Sequence, residues 1–194
     1  MYTVAQPKVT VVVADVLYPP TAVLARFILE DLNKAGYETT VMKKTSRQPI
    51  ALVPVARLKE HLQHVADSAV DNSRRYPNSD FCITVQRVSI EIDRNKFVDA
   101  PMWLQELEMF LALVYNPKTK HEWIAYDFLY GVKGSESVIN MVKGNVHDAF
   151  SERSGYMEAP DIEETPTILM LMELFQKSLQ RAVHILPPSP TTLM

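Results

Sequence analysis

Phe81-Cys82-Ile83-Thr84-Val85-Gln86-Arg87-Val88-Ser89-Ile90-Glu91-Ile92-Asp93-Arg94 is the stretch on which the fold turns. Its apolar and polar residues alternate, as in a strand. The apolar positions run Phe81, Ile83 and Val85, then change parity to Val88, Ile90 and Ile92. A period of two changes phase when one extra residue enters a strand, so the spacing predicts a β-bulge near Gln86-Arg87. Cys82, the sole cysteine, falls inside this run and reads as a buried, inert thiol. One cysteine leaves no internal disulfide and no cysteine-rich zinc site.

Downstream, Leu104–Tyr115 and Glu122–Val132 flank the loop Asn116-Pro117-Lys118-Thr119-Lys120, which reads as a hairpin. On the second strand Ile124, Tyr126, Phe128 and Tyr130 share one face, with Trp123, Ala125 and Leu129 on the other. Both faces are partly apolar, which places the hairpin in the sheet interior or against a partner. Ser135 caps a helix that carries Val138, Met141, Val142, Val146, Ala149 and Phe150 on one side. Arg153–Glu164 reads as a polar linker. Thr165-Pro166 is then a cap followed by proline at the first helical position, and the last helix runs to about Ile185 before Pro187-Pro188.

Upstream, the β-branched run Val9–Val16 suits a strand covered on both faces, and Tyr18-Pro19-Pro20 stops it. Thr21 is placed to cap a helix through Ala35 with Val23, Leu24, Phe27, Ile28 and Leu32 at helical spacing. Gly36 fits the left-handed position that ends it, and Glu38–Lys44 re-enters a strand. Ser46–Val53 reads as a loop bracketed by Pro49 and Pro54. Leu58, Leu62, Val65, Ala69 and Val70 then mark a second amphipathic helix. The chain therefore reads as one α+β domain over residues 1–186 with a disordered tail at 187–194. Its sheet is mixed, of about five strands, with helices packed mainly on one face.

The chemistry is sparse. A net charge of −3 gives no overall attraction to phosphate, so no nucleic-acid partner is expected. The five glycines include none in the turn after the first strand, Asp15-Val16-Leu17-Tyr18-Pro19-Pro20, which disfavours a nucleotide loop. No cofactor, metal or catalytic set is assigned. His61 and His64 stand three apart on a predicted helix and read as a solvated face, with no local ligand to complete a metal set. Carboxylate pairs occur at Glu91/Asp93, Glu106/Glu108 and Glu163/Glu164, and alternation puts Glu91 and Asp93 on one strand face that reads as solvent-facing. The apolar run Ile168–Leu186 is broken by Glu173, Lys177 and Arg181, so no transmembrane span is expected.

That last helix has two readings. It covers a sheet face and completes the core, or its Ile168, Leu171, Met172 and Phe175 surface exceeds what the domain buries and meets a protein partner or a second copy. Met170 and Met172 would suit an adaptable contact. A small-ligand or enzyme site is the alternative, at the end of the first strand around Asp15 and Tyr18, with His121 or Asp127 converging on it.

The order of elements Val9–Val41, the hairpin Glu108–Tyr115 with Asn116-Pro117-Lys118, and the return strand Trp123–Tyr130 before Ser135–Phe150 resembles a known group. It is similar to the small α+β domains of bacterial envelope lipoproteins, among them the lipopolysaccharide-assembly and ABC-transport auxiliary lipoproteins and TolB N-terminal-like domains. The likeness lies in element order over Val9–Ser151. The family's lipid-anchoring cysteine has no counterpart at the N-terminus of these residues. The resemblance implies a non-catalytic binding or assembly subunit. It implies a periplasmic or outer-membrane-associated location if the chain is a mature fragment, and a cytoplasmic one is expected if Met1 is the native start.

Overall fold

The computed structural model describes residues 7–14, 19–43, 52–93, 95–97, 106–128, 136–156 and 166–185. Strand β1 (Lys8–Val13) leads to helix α1 (Pro19–Lys34) and strand β2 (Glu38–Lys43). A two-residue strand β3 (Val53–Pro54) and a 3-10 turn precede helix α2 (Leu58–Arg74). Strands β4 (Phe81–Glu91), β5 (Glu106–Tyr115) and β6 (Glu122–Phe128) follow, then helices α3 (Glu136–Ser151) and α4 (Pro166–Ile185). The strands form one mixed sheet in the order β2-β1-β4-β5-β6. β1 lies parallel to both β2 and β4, and β4-β5-β6 is antiparallel. The fold is α+β, as the sequence implies.

Three local expectations change. The register of β4 on β5 runs without interruption from Cys82↔Tyr115 to Glu91↔Glu106, so there is no bulge at Gln86-Arg87. The apolar phase shift has another cause. Phe81, Ile83 and Val85 enter a core beneath α1 and α4, whereas Val88, Ile90 and Ile92 enter a second core beneath α2 and α3. The strand stays regular and the face it buries changes along its length. The helices therefore do not pack mainly on one face; they lie two on each side. The physical reason is β5, whose Phe110, Ala112 and Val114 feed one core while Leu107, Met109, Leu111 and Leu113 feed the other. A strand apolar on both faces requires cover on both.

The loop reading of Ser46–Val53 also gives way at its end. Val53 and Pro54 pair parallel with Ile90 and Glu91, on the side of β4 that β1 vacates after Val13↔Val85. Other local signals hold. Gly36 takes φ +88, and the Tyr37 N–H reaches back to the Leu32 carbonyl, ending α1 in the left-handed manner its glycine allows. The hairpin loop is braced by the Asn116 carboxamide oxygen, which accepts the Lys118 N–H at 2.9 Å. Cys82 is buried in β4. No helix among the described residues is long and apolar enough to cross a membrane.

Candidate functional site

The sites anticipated from sequence separate on the structure. Of the last helix, α4 buries Phe175, Ser178, Leu179 and Ala182 and exposes Glu173, Lys177 and Gln180. Phe175 is fully buried in the core beneath α1. Arg181 pairs with Asp31 at 3.2 Å and lies 4.1 Å over the Phe27 ring, tying α4 to α1. The side chains of Ile168, Leu171 and Met172 lie outside the described residues.

Asp15 and Tyr18, at the end of the first strand, also lie outside the described residues. Their anticipated partners, His121 and Asp127, lie at opposite ends of the sheet. Asp127 stands opposite Phe110, which stands opposite Arg87, one row across the sheet at the end where β1 finishes. His121 precedes β6 at the other end of the sheet, about 20 Å away at strand rise. Near the Asp127 row, Arg87 and Glu108 form an ion pair at 2.8 Å, their side chains only 13% and 15% exposed. The helix that starts there offers little to an anion. α1 begins with Pro19-Pro20, which have no N–H, so two of the usual orphan donors are missing. Thr21, expected as its cap, sits inside the first turn, buried, with a hydroxyl that finds no hydrogen-bond partner.

At the opposite end a cleft of about 420 Å³ is lined by Val70, Tyr115, Lys120, Glu152, Arg153 and Gly155. Most of its charges are paired internally. Arg153, read from sequence as linker, donates to the buried Glu122 carboxylate and, at 2.7 Å, to Asp67 of α2. Burial works against the guanidinium charge, but the hydrogen bonds to Glu122 and Asp67 outweigh it and raise its pKa. Glu152 accepts from Lys59 and Gln63, and the Lys59 hydrogen bond lowers its pKa. The Glu122 N–H donates to the Gly155 carbonyl at 2.8 Å, and Tyr156 bridges to Glu122, so the segment after α3 is strapped to the edge of β6. The Lys120 carbonyl lies so near Gly155 that an added Cβ would meet it at 2.3 Å. This end of the molecule is a clamp.

Among the described residues nothing pairs with the other edge of the sheet, where β2 meets only β1. The Glu38 N–H donates to the Pro7 carbonyl at 3.0 Å, which fixes the alternation of a parallel ladder. Glu38, Thr40 and Met42 turn their backbone groups to β1, and Thr39, Val41 and Lys43 turn theirs outward. Glu38, Thr40, Met42 and Lys43 are exposed, Met42 at 36%, while Val41 packs against the core beneath α1. The outward backbone groups of such an edge can receive another strand, and the exposed Glu38 and Lys43 restrict which strand that is. Sequence carried a signal for it. β1 reads Lys-Val-Thr-Val-Val-Val and β2 reads Glu-Thr-Thr-Val-Met-Lys, the contrast between an interior strand and an edge.

No other described arrangement brings catalytic chemistry together. His61 is half-buried on α2, where burial and the neighbouring His64 lower its pKa, and His64 faces Glu60 at 3.8 Å. Among the described residues no group of three His, Cys, Asp or Glu side chains is arranged to hold a metal.

Comparison with known proteins adds little to this geometry. No family model matches the chain. No curated protein matches it. Protein VC0702 from Vibrio cholerae is similar at 11% identity, with 94% of this chain and 90% of that one covered and a TM-score of 0.38. A dodecamer of a PelC variant from Paraburkholderia phytofirmans is similar at 11% identity, covering 76% of this chain and 90% of that one, with a TM-score of 0.31.

Proposed function

We propose that this chain is a non-catalytic binding or assembly subunit that works through protein contacts. The observation that carries the reading is the edge of β2, where the outward backbone groups of Thr39, Val41 and Lys43 meet no strand among the described residues. Both the contact and its location follow from one physical cost. A strand edge offers a row of donors and acceptors that a second chain satisfies at little entropic cost, because the strand is already ordered. The opposite edge is guarded by the Gly155–Tyr156 strap on β6. The resemblance to envelope lipoprotein domains supports the same reading, with the periplasm or outer membrane as the compartment it implies.

The test is capture of the tagged chain from its native cells, wild type against Thr39→Pro. Proline at Thr39 removes one outward N–H and leaves the Glu38 and Thr40 bonds to β1 in place. Reproducible recovery of one protein partner with wild type, lost with Thr39→Pro, is the expected result. Recovery that Thr39→Pro leaves unchanged would remove β2 from the account, and turnover of a small molecule by the purified chain would remove the non-catalytic reading.

A further inference from the structure

We infer that the cleft at the hairpin end is a binding site for a small monocarboxylate, anchored by the Lys120 ammonium. Its volume of about 420 Å³ falls in the range that holds small ligands. The carboxylates on its wall are already spent. Glu122 accepts from Arg153, and Glu152 accepts from Lys59 and Gln63. The donors on its wall are not. Arg153 uses Nε on Glu122 and Nη1 on Asp67 and the Gln63 carbonyl, which leaves Nη2 without an acceptor among the described residues. Lys120, exposed, forms no ion pair among the described residues, and the Tyr115 and Ser154 hydroxyls on the same wall donate to no group there.

Charge sets the ligand's valence. Arg153 is matched by Glu122 and Asp67, and Lys59 by Glu152, so Lys120 is the cation of the cleft left to meet a ligand's negative charge. A second negative charge would face Glu122 and Glu152 with nothing to offset it. A carboxylate accepts up to four hydrogen bonds, which Lys120, the Arg153 Nη2 and the two hydroxyls can supply. Val70 and the Tyr115 ring give its organic part an apolar wall. The backbone points to Lys120 independently. It takes φ 62, the positive value that glycine adopts freely and lysine adopts at a cost. The turn itself favours glycine there, so a use for the ammonium accounts for the lysine. The Lys120 carbonyl is pressed against Gly155, which fixes the backbone carrying that ammonium to the facing wall. This site stands apart from the β2 contact and does not depend on it.

Proton–nitrogen correlation spectra of the full chain, titrated with benzoate as an aromatic monocarboxylate, read this directly. Saturable shifts at amides around the cleft, Lys120 and Gly155 among them, are expected, with a Kd in the millimolar range for so small a ligand. Benzamide, the uncharged analogue, should bind about tenfold more weakly. Inorganic phosphate, largely dianionic above neutral pH, should bind more weakly than benzoate. Lys120→Gly removes the ammonium and relieves the turn, so benzoate affinity should fall about tenfold while the midpoint of urea unfolding does not fall. Lys120→Arg keeps the charge and should keep the binding. No saturable shift at the cleft, equal binding of benzamide, or wild-type affinity in Lys120→Gly overturns the site. Tighter binding of phosphate than of benzoate overturns the monocarboxylate as its ligand, and a lower urea midpoint for Lys120→Gly overturns the backbone argument for Lys120.

Discussion

Replacing Arg153 by methionine tests whether the clamp at the hairpin end holds the domain together. The Arg153 side chain is 18% exposed and spans the Glu122 carboxylate, 6% exposed, and the Asp67 carboxylate, 65% exposed. The two contacts differ in weight. The Asp67 pair is largely solvated and contributes at most about 1 kcal/mol. Loss of the Glu122 partner leaves a carboxylate buried without its counter-charge, which costs about 3–5 kcal/mol. In a domain of this length that corresponds to a fall in Tm of roughly 6–20 °C. Removing both charges behaves differently. Arg153→Met combined with Glu122→Leu takes away the stranded carboxylate and should recover most of the loss. Urea unfolding of wild type, both single variants and the double variant at neutral pH gives the coupling between them. A loss below about 1 kcal/mol for Arg153→Met would show the pair to be ornamental and refute the reasoning.

Four further outcomes follow from the same structure. Phe175→Ala opens a void in the core beneath α1 and should cost about 3–5 kcal/mol by urea unfolding. Glu173→Ala and Lys177→Ala on the outward face of α4 should stay within about 0.5 kcal/mol of wild type. Gly155→Ala drives a methyl into the Lys120 carbonyl, so the strap must shift, and amide exchange at Glu122 should speed up as its bond to Gly155 is lost. His61 has a folded-state pKa below its unfolded value, so the unfolded chain binds the proton first as pH falls. Stability should therefore decline as pH drops through about 6.5 towards the lower folded value, and His61→Gln should flatten that slope in thermal melts between pH 7.5 and pH 5, values of roughly this span bracketing the ordinary histidine range.

The elements were legible because their signals are local. Thr-Thr-Val-Met after Gly36, the Asn116–Lys120 loop and the proline at the start of α4 each specify their own backbone. What the sequence left ambiguous was three-dimensional. A parity change in Phe81–Ile92 has the same appearance whether a residue is inserted or the buried face switches, and only the cover by α1 and α4 on one side and α2 and α3 on the other distinguishes them. Phe175 illustrates the same ambiguity, since helical spacing places it on an apolar face without saying whether that face meets the sheet or a partner. The Arg153–Glu122 pair joins residues far apart in the chain, so no local pattern announces it. The β2 edge was readable in the contrast between Lys8–Val13 and Glu38–Lys43, because an interior strand is apolar along its length and an edge need not be.

The central claim is that this chain meets another protein along β2. Site-specific photocrosslinking in the native cells measures that, with a photoreactive residue replacing Met42 on β2 or, as control, Gln180 on the outward face of α4. The account predicts a discrete covalent adduct from the Met42 position, absent from the Gln180 position and lost when Thr39→Pro is added. An adduct from Gln180 with none from Met42 would move the contact to the last helix and contradict the account.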